Sequence, residues 1–212
     1  MALEVDILGM MPKNRFLGKF IVFEGPDGSG QSTQAHLLKE YFEKNGRKVF
    51  LTKEPTQSTK AGQKIRRILD EEEKIAPLAL QKLYVKDRAE HLKKEIIPAL
   101  KQGKIVISDR YFFSTFAFGG LNVSIRKLIK LNEKFIFPDL VFLLKVRAEV
   151  CMRRIKARGK GFQFFEKLEK LKRILKNYEE VVKRFKEIKI LNGEKKISEI
   201  HQQIIKICQK QF

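Results

Sequence analysis

The stretch Phe20-Ile-Val-Phe-Glu-Gly25-Pro-Asp-Gly-Ser-Gly30-Gln31-Ser32-Thr33 runs from an apolar segment into a glycine-rich turn and straight on into an amphipathic one. Apolar residues in a row, without polar alternation, suit a strand buried on both faces. After Thr33, Ala35, Leu37, Leu38, Tyr41 and Phe42 recur at helical spacing, and Gly46 follows as a stop. Strand, glycine turn and helix in that order nearly fit the phosphate-binding pattern G-x-x-x-x-G-K-[ST]. The chemistry explains the pattern. Glycines let backbone N–H groups close around phosphate oxygens, and the helix N-terminus adds a favourable dipole. Gly25, Pro26, Asp27, Gly28, Ser29, Gly30, Gln31, Ser32 and Thr33 are therefore the candidate binders of a nucleotide's phosphates. The Ser32 hydroxyl is placed to reach a phosphate-bound Mg²⁺. Gln31 departs from the pattern: it offers a neutral N–H₂ donor where the usual lysine offers a full charge.

Outward from this loop, short apolar runs alternate with longer amphipathic ones. That is the pattern of a parallel sheet with helices on both faces. The strand candidates are Phe20 to Phe23, Lys48 to Thr52, Ile105 to Ser108, Leu140 to Leu144 and Ile188 to Leu191. Helices are expected over Ser32 to Asn45, from Pro77 toward Leu100, over Leu168 to Ile188 and over Ser198 to Lys210. Pro98 predicts a kink or break in the second of these. There is no repeat, low-complexity linker or composition break. The chain reads as one domain over 19–212, preceded by an N-terminal extension over 1–18, of which the first 15 or so residues are expected to be poorly ordered.

The 212 residues suffice for one α/β core and are short for two. Lys and Arg number 45 against 25 Asp and Glu, a net charge of +20, so a negatively charged partner is expected. Cys151 and Cys208 suggest neither a disulfide scaffold nor a zinc site, and the default setting is reduced and cytoplasmic. Glu4 and Asp6 stand where a signal peptide would be basic. The longest uncharged run, Tyr111 to Ile125, is too short and too polar to span a membrane.

A second strand end carries Ser108-Asp109-Arg110-Tyr111. In open parallel sheets, ligands bind at the carboxyl ends of the strands. Asp109 is thus a candidate Mg²⁺ ligand and Arg110 a candidate phosphate binder.

Taken in order, these motifs resemble the thymidylate kinases, P-loop kinases acting on dTMP. The resemblance is collinear from about Lys19 to the C-terminus. It rests on FEGPDGSG, TKEP (Thr52 to Pro55), LYVKDRAEHL (Leu83 to Leu92), SDRYFFSTFAFGG (Ser108 to Gly120), FPDLVFLL (Phe137 to Leu144) and RRIKARG (Arg153 to Gly159). It implies a three-layer α/β/α P-loop NTPase fold with a five-stranded parallel sheet, ATP and Mg²⁺ as cofactors, dTMP as acceptor and a homodimer. It assigns Asp27 to the sugar 3′-hydroxyl and the metal, Tyr84 to stacking on thymine, Arg88 to the base and Arg110 to the acceptor phosphate. Thr115 meets the base, Phe118 excludes a ribose 2′-hydroxyl, and Lys53 approaches a phosphate. The resemblance also implies a lid over about 153–166, from which Arg154 and Arg158, spaced four apart and so on one helix face, would approach the donor phosphates. An Asp and an Arg expected in that lid appear as Gln163 and Phe164.

Spacing alone leaves alternatives open. Tyr84 also fits ordinary core, Arg88 a pairing with Asp87 or Glu90, and any of Phe112, Phe113, Phe116 or Phe118 simple packing. At the level of function, the alternatives are a nucleotide-binding relative without efficient turnover and a kinase for another pyrimidine monophosphate. A nucleic-acid binder driven by the charge is more remote: 16 of the basic residues, against 6 acidic ones, lie between 145 and 189, but no helix-turn-helix, zinc finger or RNP signature accompanies them.

Overall fold

Along the first strand, side chains alternate between two apolar clusters. Phe20 and Val22 join Val106, Phe112, Phe116 and Phe185 on one side, while Ile21 and Phe23 join Leu38, Ile107, Phe142 and Ile204 on the other. A strand apolar on both faces has to be covered on both. The computed structural model, which describes residues 11–157 and 164–212, shows helices on either face of one sheet. Its strands are β1 (Lys19–Glu24), β2 (Val49–Lys53), β3 (Ile105–Asp109), β4 (Leu140–Lys145) and β5 (Lys189–Asn192). All pair in parallel, in the order β2-β3-β1-β4-β5. The expected three-layer α/β/α arrangement and five-stranded parallel sheet are therefore present.

The helices described are α1 (Gln31–Lys44), α2 (Lys60–Leu69), α3 (Pro77–His91), α4 (Ile97–Lys101), α5 (Phe112–Gly119), α6 (Ile125–Asn132), α7 (Ala148–Lys156), α8 (Phe164–Arg184) and α9 (Ile197–Gln211). The long helix expected from Pro77 is interrupted by a π-helical turn over Leu92–Ile96. Pro98 has no N–H to give and crowds the carbonyl four residues back, so the ladder loosens upstream of the proline itself. Four elements were not legible as helices of their own. Of these, α5 (FFSTFAFG) is buried almost all round and has no polar face to give it a period. By contrast, α2 is strongly amphipathic but short, and Thr59 caps it by accepting from Gly62 N at 2.8 Å.

The start of the chain corrects one expectation. From residue 11 on it is packed, because Met11 is buried and the Pro12 carbonyl accepts from Phe137 N at 2.7 Å. Asn14 adds a bond to Asp139 Oδ2 at 2.6 Å, and the segment then enters β1. Both cysteines are free and buried. No helix among the described residues is long and apolar enough to cross a membrane.

Candidate active site

Pairing register places the carboxyl ends of three strands side by side: Phe23 of β1 opposite Asp109 of β3, and Asp109 opposite Lys53 of β2. The glycine loop leaves β1 at this edge. At its tip Gly28 has a φ of 83°, and a Cβ there would lie 2.7 Å from the Cys151 carbonyl of α7, so only glycine lets loop and helix touch. Gly30, with a φ of 97°, leads into α1, whose first turn holds no acidic residue. The positive end of the helix is left for an external anion.

Gln31 does not reach outward. It is 5% exposed, and its Oε1 accepts from Ser29 Oγ at 3.2 Å, which keeps the carboxamide within the loop. Arg154 of α7 braces the loop from outside. Its guanidinium donates to the carbonyls of Gly28 and Ser29, each at 3.3 Å, and to that of Gly193 beyond β5 at 3.0 Å. Expected at the donor phosphates, it is bound here to loop backbone. Helix α7 ends at Lys156 with Ala157 as its cap, so the face that Arg154 and Arg158 are expected to share runs past the described residues. Arg158, Gln163 and the side chains of Phe164 and Glu166 lie outside the described residues.

Ser32 and Asp109, both candidate Mg²⁺ ligands, lie within hydrogen-bond distance of each other. Asp109 Oδ2 accepts from Ser32 Oγ at 2.5 Å and from Lys53 Nζ at 2.8 Å. Its Oδ1 is buried and has no partner. An unpartnered carboxylate oxygen beside a loop hydroxyl suits a hard cation. No group of three or more His, Cys, Asp or Glu among the described residues could cage a metal. Asp27 stands apart from this pair, its carboxylate two-thirds exposed and bound to Arg110. Lys53, expected at a substrate phosphate, is paired with Asp109.

Arg110 adopts a φ of 77°, a left-handed conformation that a side-chain-bearing residue holds only where its surroundings enforce it. The enforcing contacts are visible. Nη1 donates to the Gly25 carbonyl at 2.9 Å and to Ser114 Oγ at 3.0 Å, and Nη2 donates to Asp27 Oδ1 at 2.7 Å. The guanidinium lies 5.1 Å from the centre of the Phe118 ring. Burial works against its charge, yet Asp27, Tyr178, Glu24 and Asp109 together hold it more firmly protonated than a free guanidinium. Tyr84 is half-buried nearby. Burial pushes its phenol up to about 12, against the opposing pull of Arg110 and Arg88.

Arg88 is fully buried and does not pair with Asp87 or Glu90. Nε donates to Glu54 Oε2 at 2.8 Å, Nη2 lies 2.7 Å from the same oxygen and 3.1 Å from Thr115 Oγ1, and Nη1 bonds Asn132 Oδ1. Tyr111 and Phe135 rings flank it. Glu54, Asn132, Glu24, Ser114 and Tyr178 are site residues that the sequence reading missed. Glu24 alone carried a signal: an acid closing a buried apolar strand.

The sequence has known relatives. A family model described as thymidylate kinase matches residues 23–204. A probable thymidylate kinase of Pyrococcus horikoshii is 42% identical over 201 residues, covering 92% of this chain and 98% of the relative. One of Thermococcus gammatolerans is 41% identical over 205 residues, with the same coverage. The thymidylate kinase of Caldicellulosiruptor saccharolyticus is 36% identical over 197 residues, covering 90% of this chain and 95% of its own.

Proposed function

We propose, from the premise that this chain belongs to the thymidylate kinase family, that it moves the γ-phosphoryl group of ATP onto the 5′-phosphate of dTMP, giving ADP and dTDP. The observation that carries this reading is the joint between the two halves of the site. Arg110, fitted to an acceptor phosphate, bonds the carbonyl of Gly25, the first residue of the donor loop.

A phosphate monoester has a second pKa near 6, so the acceptor oxygens are largely deprotonated at neutral pH and no general base is needed. An acceptor oxygen forms the new bond to the γ-phosphorus as the bond to the β–γ bridging oxygen breaks, and ADP departs with the electron pair. The protein's work is positioning and charge neutralisation. Residues Gly25 to Thr33 hold the ATP phosphates. Ser32 and Asp109 would hold Mg²⁺, which would neutralise charge on the phosphates, and Asp27, now paired with Arg110, is the third candidate to hold it. Lys53 adds positive charge at the same edge. The lid arginines, Arg154 and Arg158, serve the donor phosphates when the site closes.

Tyr84 stacks on thymine, and Phe118 lies where it meets the sugar. Four of the five N–H donors of Arg88 are committed to Glu54, Asn132 and Thr115, leaving one Nη1 hydrogen for a base carbonyl. Tyr84→Ala is expected to weaken dTMP binding by about 1–3 kcal/mol, the usual worth of an aromatic–base stack. Unchanged affinity by titration calorimetry would remove Tyr84 from the site. A homodimer is proposed on the resemblance alone, and a reduced, cytoplasmic setting on the two free cysteines.

A coupled ADP-release assay with ATP, Mg²⁺ and a panel of monophosphates tests the reading. The wild type should form dTDP. Gln31→Lys should raise kcat by about 10-fold with little change in the KM for ATP, because an ammonium on the transferring phosphate gains most in the transition state. A brisk wild type with no gain in the variant would assign that charge to a lid arginine. If neither protein forms dTDP while both bind ATP, a nucleotide-binding relative without turnover replaces the kinase. The buried, loop-bound carboxamide of Gln31 is the feature that keeps this second reading in view.

A further inference from the structure

Behind Arg110, away from the substrate side, lies a closed group of hydrogen bonds. Ser114 of α5 accepts from Arg110 Nη1 at 3.0 Å and donates to Glu24 Oε2 at 2.5 Å. The Tyr178 hydroxyl of α8 lies 3.0 Å from that same carboxylate oxygen, 3.1 Å from Ser114 Oγ and 3.2 Å from the Gly25 carbonyl. Glu24 also accepts from Tyr111 N at 2.8 Å. Glu24 and Tyr178 are 1% and 2% exposed, so any effect they have on substrate passes through Arg110 and Gly25.

We propose that Glu24 and Tyr178 are positioning residues for phosphoryl transfer, fixing the rear of the Arg110 guanidinium and the first carbonyl of the phosphate loop from β1 and α8 together. The inference rests on the reading of Arg110 as the acceptor-phosphate group. Counting protons gives the device two settings. When Glu24 is ionised, Ser114 and Tyr178 both donate to it, and the Gly25 carbonyl is served by Arg110. When Glu24 is protonated, one of those hydroxyls must accept its proton, Tyr178 turns its own to Gly25, and the negative charge behind Arg110 is gone. The groups facing this carboxyl are Arg110 beyond β3, Tyr111 and Ser114 at the start of α5, and Tyr178 of α8. Asp27 is engaged by Arg110 on the far side. Burial raises the Glu24 carboxyl to about 7, opposed by Arg110, Ser114, Tyr111 N and Tyr178. The charged setting therefore prevails above about pH 7 and the neutral one below it.

The test is steady-state kinetics with dTMP from about pH 5.5 to about 9 on the wild type, Glu24→Gln and Tyr178→Phe, with thermal melting alongside. In the wild type the KM for dTMP should fall as pH rises through about 7, beyond the change contributed by the substrate's own phosphate near 6. Glu24→Gln cannot ionise, so that inflection should vanish, with kcat/KM for dTMP about 10-fold lower at high pH. Tyr178→Phe removes a donor to the charged form, so the inflection should move to higher pH, with about a 10-fold loss in kcat/KM for dTMP and little change in the KM for ATP. A merely structural role would lower melting temperature without moving the inflection.

Wild-type kcat/KM and pH profile in both variants would overturn the proposal. Tyr178→Phe leaves each buried acceptor another donor, so it carries the test if Glu24→Gln does not fold. If the wild type forms no dTDP, the kinase reading fails instead. The same variants are then read by dTMP calorimetry over the same pH range, where an unchanged profile overturns the positioning role on its own account.

Discussion

Arg110→Ala is expected to lower kcat/KM for dTMP by roughly 10³-fold, or about 4 kcal/mol of transition-state stabilisation. Its guanidinium joins the Gly25 carbonyl, Ser114 and Asp27. Its removal deletes charge where the acceptor phosphate is read to lie and also releases Asp27. A bidentate, charge-assisted contact is what separates a monophosphate from its nucleoside. The wild type should therefore prefer dTMP strongly over thymidine, and the variant should not. An equal preference in both proteins would make Arg110 a structural residue.

The backbone supplies a control. At a φ of 77°, alanine remains strained and glycine does not. Arg110→Gly should be more stable than Arg110→Ala by about 1 kcal/mol and equally inactive. Restored activity in the glycine variant would mean that conformation, not charge, sets the rate.

Arg88→Met should destabilise the fold by about 3–5 kcal/mol in urea denaturation. Arg88 is 1% exposed and its partner Glu54 is 3% exposed, so truncating Arg88 leaves a buried carboxylate whose remaining side-chain contact is His91 Nδ1 at 3.4 Å. Asn132 and Thr115 lose a donor at the same time. Adding Glu54→Gln removes the stranded charge, and the double variant should recover a good part of the loss. If the single variant costs less than about 1 kcal/mol, the Glu54–Arg88 pair is not what holds α3 against the end of β2.

The strands were legible because a parallel sheet buried on both faces leaves uninterrupted apolar runs. Each of the five lies within a residue or so of its expected place, as β3 shows with Ile105–Asp109 against an expected Ile105 to Ser108. The phosphate loop was equally legible, since its glycines answer a local backbone need. The pairing of Arg88 with Glu54 was not, because the two stand 34 positions apart and no helical spacing points to it. The aromatic run after Arg110 was ambiguous for a similar reason. Phe112, Phe113 and Phe116 are wholly buried while Phe118 lies under the Arg110 guanidinium, and only the direction of α5 separates them. Glu24 was passed over because an acid before a glycine turn reads as loop, whereas here it closes the buried strand.

The placement of β1 at the centre of the sheet bears on how the chain is made. Its first residue, Lys19, pairs with Ile105, which is 86 positions later, and its other flank waits for Leu140. At a synthesis rate of about 5–20 residues per second, this apolar segment stays without a partner for roughly 4–17 s on the ribosome. Throughout that interval it is a ready substrate for a chaperone that grips extended hydrophobic peptide. Slower translation beyond β1 lengthens the exposure, so yield on expression should depend on the speed with which residues 25 to 105 are decoded.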